Sequence, residues 1–207
     1  MDLLIHGIYD ANTLDTLLSK SVSRLGFDLR ARSFNLIPFA TLKEFIRELK
    51  GAPFHLIFEN EKEATILSFL DLLKEFKHQM ILEFRDQLPA NFYHHLNHPF
   101  FWTFHPSADW QSILEVENLK GVLLPTQWRS LYQTLPLLWD TIEKRQLVTY
   151  LHLNQLKELE SVPLDSTLKL SIDLTSEVES GYRRVDQEKL KSLKLWRSHH
   201  ENIAGQR

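Results

Sequence analysis

No cysteine occurs in the 207 residues, which excludes disulfides and thiol catalysis. That absence permits a reducing compartment without requiring one. Glycine is scarce, at 6 residues, and no glycine-rich turn of the kind that cradles a phosphate is apparent. No apolar run approaches the ~18 residues that a membrane span needs. Neither sign of charge prevails. The 24 basic and 27 acidic residues leave a formal net charge of -3, so no global field draws nucleic acid or an anionic membrane. The start, Met1-Asp2-Leu3-Leu4-Ile5-His6, lacks the basic and long apolar regions of a secretion signal. These absences predict a cytoplasmic, soluble protein with neither a nucleic-acid nor a membrane partner.

What is present is ordinary for a globular chain: 43% hydrophobic and 25% charged residues. Its length suits one domain, and no linker or low-complexity segment divides 1–207. Eight short apolar runs predict strands: Leu3–Ile8, Arg24–Leu29, Phe54–Phe58, Met80–Phe84, Phe100–Phe104, Gly121–Leu124, Leu147–Leu151 and Leu168–Leu174. Helical patterns lie between them, at Asn12–Lys20, Thr41–Leu49, Glu61–Phe76, Pro89–Leu96, Ala108–Glu115, Trp128–Lys144, Asn154–Leu159 and Asp186–Leu195. Asn12 and Thr41 are candidate N-caps, the second completing a capping box with Glu44. Pro136 should kink or split its helix. The aromatic run at Phe100–Phe104 suits a strand buried on both faces. Strand and helix in alternation imply a parallel α/β sheet. Eight such units in about 200 residues imply a single closed (β/α)8 TIM barrel, with a doubly wound open sheet as the competing architecture.

In such a barrel, function gathers where the strands end. The ends of the apolar runs carry His6, Asp28, Glu59, Glu83 with Arg85, His105, Thr126 with Gln127, His152 and Asp173. A strand must in any case end in polar loop residues. Even so, this set could make a charged mouth capable of acid–base or metal chemistry. His6, His105 and His152 could supply a zinc-type ligand set for a metal-dependent hydrolase, although no H-x-H or H-E-x-x-H spacing supports it. Arg30, Arg32 and Arg85 could form an anion site. The apolar helix around Tyr132, Leu135, Leu137, Leu138 and Trp139 is barrel wall, or else a surface for self-association or a partner.

The last βα unit, from Asp173 through Thr175, Ser176, Glu177, Val178 and Glu179, resembles the D-x-S-S-G-V-E signature of the phosphoribosylanthranilate isomerase family. The first strand, Leu4-Ile5-His6-Gly7-Ile8-Tyr9, is similar to that family's K-I-C-G-I-T. Gly26-Phe27-Asp28-Leu29 followed by Ser33-Phe34-Asn35 is similar to its G-F-V-F and S-P-R. Weaker likenesses cover Ile57–Asn60, Glu83–Asp86, Leu123–Thr126 and Tyr150–Leu153. The resemblance implies a TIM barrel of tryptophan biosynthesis that performs an Amadori rearrangement without a cofactor. His6 stands where the family has its Cys base, and Pro125 where it has its Asp acid.

The departures fall on function. Pro125 has no proton to give, Asn35 replaces the substrate-side Arg, and Glu177 replaces a phosphate-binding Gly. A carboxylate there repels a phosphate by about 4 kcal/mol at ~4 Å and an effective dielectric of ~20. We therefore expect a degenerate barrel, a pseudoenzyme that binds a small-molecule ligand or protein partner at its C-terminal face. Arg30, Arg32, Glu59, Arg85, Thr175, Ser176 and Glu177 are the candidate binding residues. The alternative is a working isomerase with His6 as base and Asp173 or Glu59 recruited as acid.

Overall fold

The structure is a computed structural model that describes residues 3–19, 22, 24–33, 35–125, 134–153 and 169–173, and the backbone of 179–181 and 184–185. In chain order the elements are β1 Leu3–His6, α1 Ala11–Ser19, β2 Arg24–Asp28, α2 Phe39–Glu48, β3 Phe54–Phe58, α3 Glu63–Leu72, β4 Met80–Phe84 and α4 Ala90–His95. Then come β5 Phe100–Thr103, α5 Trp110–Glu115, β6 Leu119–Leu124, α6 Pro136–Lys144, β7 Val148–Leu153 and β8 Lys169–Asp173. Strands β1 to β8 pair in sequence order and close into one barrel. Every neighbouring pair is parallel, and β8 returns to β1 with His6 beside Asp173. This is the predicted (β/α)8 barrel. A short antiparallel pair, β9 Glu179–Gly181 with β10 Arg184–Val185, lies between the predicted strand Leu168–Leu174 and the predicted helix Asp186–Leu195.

Burial on both sides explains the unbroken apolar runs. Strand β3 is buried at every residue, because one face lines the lumen and the other packs on the helices. Leu4, Phe101, Leu123 and Tyr150 form an apolar cluster separate from the main core. Around them, Phe84, Tyr93, Phe100 and Trp102 belong to the larger core under the helices. Tyr93 stacks on Phe100 at 5.2 Å. It also donates to the buried Asp86 carboxylate at 2.6 Å, and Trp102 Nε1 donates to the Asp86 carbonyl at 3.0 Å. The aromatic run is thus core packing with one buried acid as its polar anchor.

Two predicted caps lie elsewhere. Helix α1 is capped by Asp10, not Asn12: Asp10 accepts from the Thr13 backbone at 2.9 Å and from its hydroxyl at 2.5 Å. Helix α2 starts at Phe39, with Pro38 before it and no side-chain cap, so Thr41 sits inside the first turn. Pro38 fixes an extended φ and opens the helix two residues early. Pro136 stands in the first turn of α6, where its missing N–H costs nothing. The parts of the predicted helices at 128–133, 154–159 and 186–195 lie outside the described residues. On α6, Leu138 is buried while Leu137 stays 60% exposed. No helix among the described residues is long and apolar enough to cross a membrane.

Candidate functional site

A TIM-barrel lumen is usually filled by branched aliphatic side chains. Here it also holds fully buried His6, His55, Glu83 and Ser171, together with His152. They come from β1, β3, β4, β8 and β7. Alternation along each strand brings them inward: His6 lies two residues after Leu4, and Glu83 two after Ile81, both of which pack in the lumen cluster.

Glu83 and Arg85 organise the group. Glu83 Oε2 lies 2.9 Å from His6 Nε2 and 3.1 Å from His55 Nδ1. The first is an ion-pair distance out of line for a hydrogen bond, so His6 Nε2 has no hydrogen-bond partner among the described residues. Arg85 Nε donates to Glu83 Oε1 at 3.3 Å, Nη1 to Asp173 Oδ2 at 2.8 Å, and Nη2 to His6 Nδ1 at 2.8 Å. Ser171 Oγ stands 3.3 Å from His6 Nδ1 and 3.1 Å from His152 Nδ1. One guanidinium therefore ties the two groups offered as base and acid to a third, buried carboxylate.

The electrostatics follow from that placement. Burial opposes the charge on Glu83. The pull of His6, the hydrogen bond from His55 and the Arg85 charge outweigh it and hold the carboxyl well below its usual range. Burial pushes the His55 imidazole down, against the pull of Glu83. Burial, aided by the Arg85 charge, lowers His152 to about 3. Burial opposes the Arg85 charge as well, but Asp173 and Glu83 raise its pKa. The lumen thus holds an ionised Glu–Arg–Asp chain flanked by neutral His55 and His152.

Gly26, on β2, makes room for this arrangement. A Cβ there would stand 2.3 Å from His6 Cδ2. The ring has no retreat, being held by Glu83 and Arg85. Gly26→Ala should therefore lower stability by about 1–3 kcal/mol, the usual cost of overpacking. Urea unfolding checks this; an unchanged midpoint would mean that the ring moves freely.

A second ion-pair group lies on the rim. Asp28 accepts from Arg30 Nη2 at 2.6 Å and from Ser33 Oγ at 2.5 Å, and Arg30 Nη1 reaches Glu59 at 3.2 Å. Glu61 accepts from the backbone of Ala31 and of Glu59. A cavity of about 620 Å³ opens between these two loops, lined by Arg30, Arg32, Ser33, Glu59, Asn60 and Glu61. Three of the predicted binding residues, Arg30, Arg32 and Glu59, thus share one cavity, while Arg85 belongs to the lumen. Thr175, Ser176 and Glu177 lie outside the described residues. Asn35 is buried and ties β1 to β2 through its donation to the Gly7 carbonyl at 3.1 Å.

The predicted histidine triad does not assemble. His152 is beside His6, with ring centroids 5.8 Å apart. His105 instead bonds the Arg85 carbonyl at 3.1 Å and meets the Trp102 ring. Among the described residues, those that do converge with ligand spacing are His6, His55 and Glu83. His55 and Ser171 escaped the sequence reading, which took only strand ends. A histidine at the second position of the apolar run Phe54–Phe58, on the lumen parity, was the available signal for the first.

The fold and this mouth define a (β/α)8 barrel with an ionised, self-paired lumen. No protein-family model matches the chain, and no curated protein matches it in sequence. In structure it has the fold of phosphoribosylanthranilate isomerase. The Thermus thermophilus enzyme superposes with a TM-score of 0.69 at 15% identity, covering 100% of both chains. A phosphoribosylanthranilate isomerase in complex with reduced 1-(o-carboxyphenylamino)-1-deoxyribulose 5-phosphate gives 0.68 at 16%, covering 92% of this chain and 95% of that one. A glycerophosphodiester phosphodiesterase from Agrobacterium tumefaciens is more distant, at 0.53 and 9%, covering 84% and 94%. At these identities the likeness is one of fold.

Proposed function

We propose that this barrel does not catalyse the isomerisation and serves as a binding module on an isomerase-like scaffold. The observation that carries this reading is the triple engagement of Arg85. Its Nη2 donates to His6 Nδ1, its Nη1 to Asp173, and its Nε to Glu83. A general base needs a free lone pair within reach of the substrate. The lone pair of His6 Nδ1 is taken by a guanidinium, and its ring is fully buried. Asp173, the recruited acid of the alternative reading, is held as the partner of the same arginine. Pro125, immediately after β6, has no proton to transfer.

Binding then falls to the rim. The cavity between the β2 and β3 loops is of a size that holds a small molecule. Its Arg32 and Glu59 side chains are exposed. They suit a polar ligand that carries an anionic group and a hydrogen-bond donor, or the matching pair on a protein surface. The test is an isomerase assay sensitive to very slow turnover, with His6→Ala as control. No turnover, and no rise in Tm with inorganic phosphate, is the expected result. Turnover lost on His6→Ala would overturn it.

A further inference from the structure

A plug of the barrel mouth needs one cation and its counter-ions, and Arg85, Glu83 and Asp173 already supply them. His6 and His55 are left over, each with an Nε2 that is buried and has no hydrogen-bond partner among the described residues. One ligand atom from each of His6, His55 and Glu83 lies within 4.8 Å of the other two. Two imidazoles and a carboxylate suit a metal of the zinc class, whereas magnesium and calcium prefer oxygen alone.

We propose that His6, His55 and Glu83 form a buried site for one divalent transition metal, filled when Arg85 releases the His6 ring. The Glu83 Oε2 contacts, 2.9 Å to His6 and 3.1 Å to His55, approach the ~3.3 Å edge of a tetrahedron with ligands at about 2.0–2.1 Å. The proton inventory sets the competition. While Arg85 donates to Nδ1, the ring proton of His6 is on Nε2. A metal on Nε2 requires that proton on Nδ1, where Ser171 Oγ, 3.3 Å away, can accept it. The ring neither gains nor loses charge; its proton changes nitrogen, and the cation takes the place between His6 and Glu83. The His55 proton moves likewise, from Nδ1, which donates to Glu83, to the unpartnered Nε2, and this frees Nδ1 for the metal. Metal and Arg85 therefore exclude each other at His6. Because all three ligands are fully buried, the ion ties β1, β3 and β4 together, activates no substrate and enters as the chain folds.

The test refolds the full chain with cobalt(II) or zinc(II) and removes loose metal by gel filtration. The expected result is one retained equivalent, a visible d–d band of four-coordinate cobalt and a raised Tm. Arg85→Met should bind roughly tenfold tighter or more, because a like charge has gone from the next shell. His55→Phe and Glu83→Gln should lose the band; if His55→Phe fails to fold, the isosteric Glu83→Gln carries the same test. Absence of retained metal from both the natural protein and Arg85→Met overturns the proposal. So does binding undiminished in Glu83→Gln, which would assign the metal to exposed histidines such as His94 and His95.

Discussion

Glu83→Ala lowers the unfolding free energy by about 3–5 kcal/mol, the cost of breaking a buried ion pair by removing one partner. The carboxylate is fully buried, lies beside His6 Nε2 and is hydrogen-bonded by two donors, His55 and Arg85. Its loss strands the His55 Nδ1–H and leaves Arg85 with Asp173 and His6 as its hydrogen-bond partners in this network. It also empties space at the centre of the lumen. Glu83→Gln keeps the shape and costs less, since the amide still offers one acceptor oxygen. The double variant Glu83→Ala/Arg85→Met falls short of the sum of the singles, because each single already removes the Glu83–Arg85 contact and the double loses it only once. Urea unfolding at neutral pH in chelating buffer measures all of these. A Glu83→Ala loss below about 1 kcal/mol would mean that water enters the lumen and replaces the carboxylate.

The barrel was legible in the sequence because burial on both faces leaves a plain mark. Phe54–Phe58 and Met80–Phe84 are predicted at the same residues where β3 and β4 are observed. The caps were less legible. Asp10 competes with Asn12, a neighbour of similar chemistry, Pro38 opens α2 with no side-chain cap at all, and a two-residue difference in helix start changes no apolar period. The mouth was legible only as a list of strand ends. His6, Glu83, Arg85, His152 and Asp173 were all in it, and they do meet. What strand ends could not show is that Arg85 turns inward to bind His6 and Asp173 while Arg30 turns to Asp28 and Glu59. Both follow a strand terminus, and only the barrel's closure, with β8 beside β1, puts Asp173 within reach of one of them. His55 was hidden for the opposite reason. It sits inside a run that reads as pure core, and its polarity makes sense only once Glu83 is placed across the next strand pairing.

The second large effect is in acid. His152 titrates near 3 in the folded protein and near 6.5 when unfolded. Between these values the unfolded chain binds a proton that the native state refuses. Stability from this group is complete above about 6.5 and is lost as pH falls towards 3, at up to about 1.4 kcal/mol per pH unit. His55, lowered from 6.5 by burial against the pull of Glu83, acts with the same sign as pH falls below 6.5. Glu83 joins later: its carboxyl is held below 4.5, so its contribution is present above that value and is lost beneath it. Asp86 acts in the opposite sense, because burial raises its pKa above 3.8 despite Tyr93 and the Asn60 N–H. One carboxyl offsets only part of the two histidines, so the metal-free protein should lose stability steeply from near neutrality downward. His152 faces Ser171, His6, Arg85, Asp173 and Glu83, so the cause can be isolated. His152→Asn keeps a polar group beside Ser171 and removes the titration, and should flatten the fall between about 6.5 and 4.5 by close to one proton. Unfolding free energies across that range, in chelating buffer, decide it. A slope unchanged by His152→Asn would mean that the imidazole is protonated in the lumen, where Asp173 or Glu83 would then be its partner.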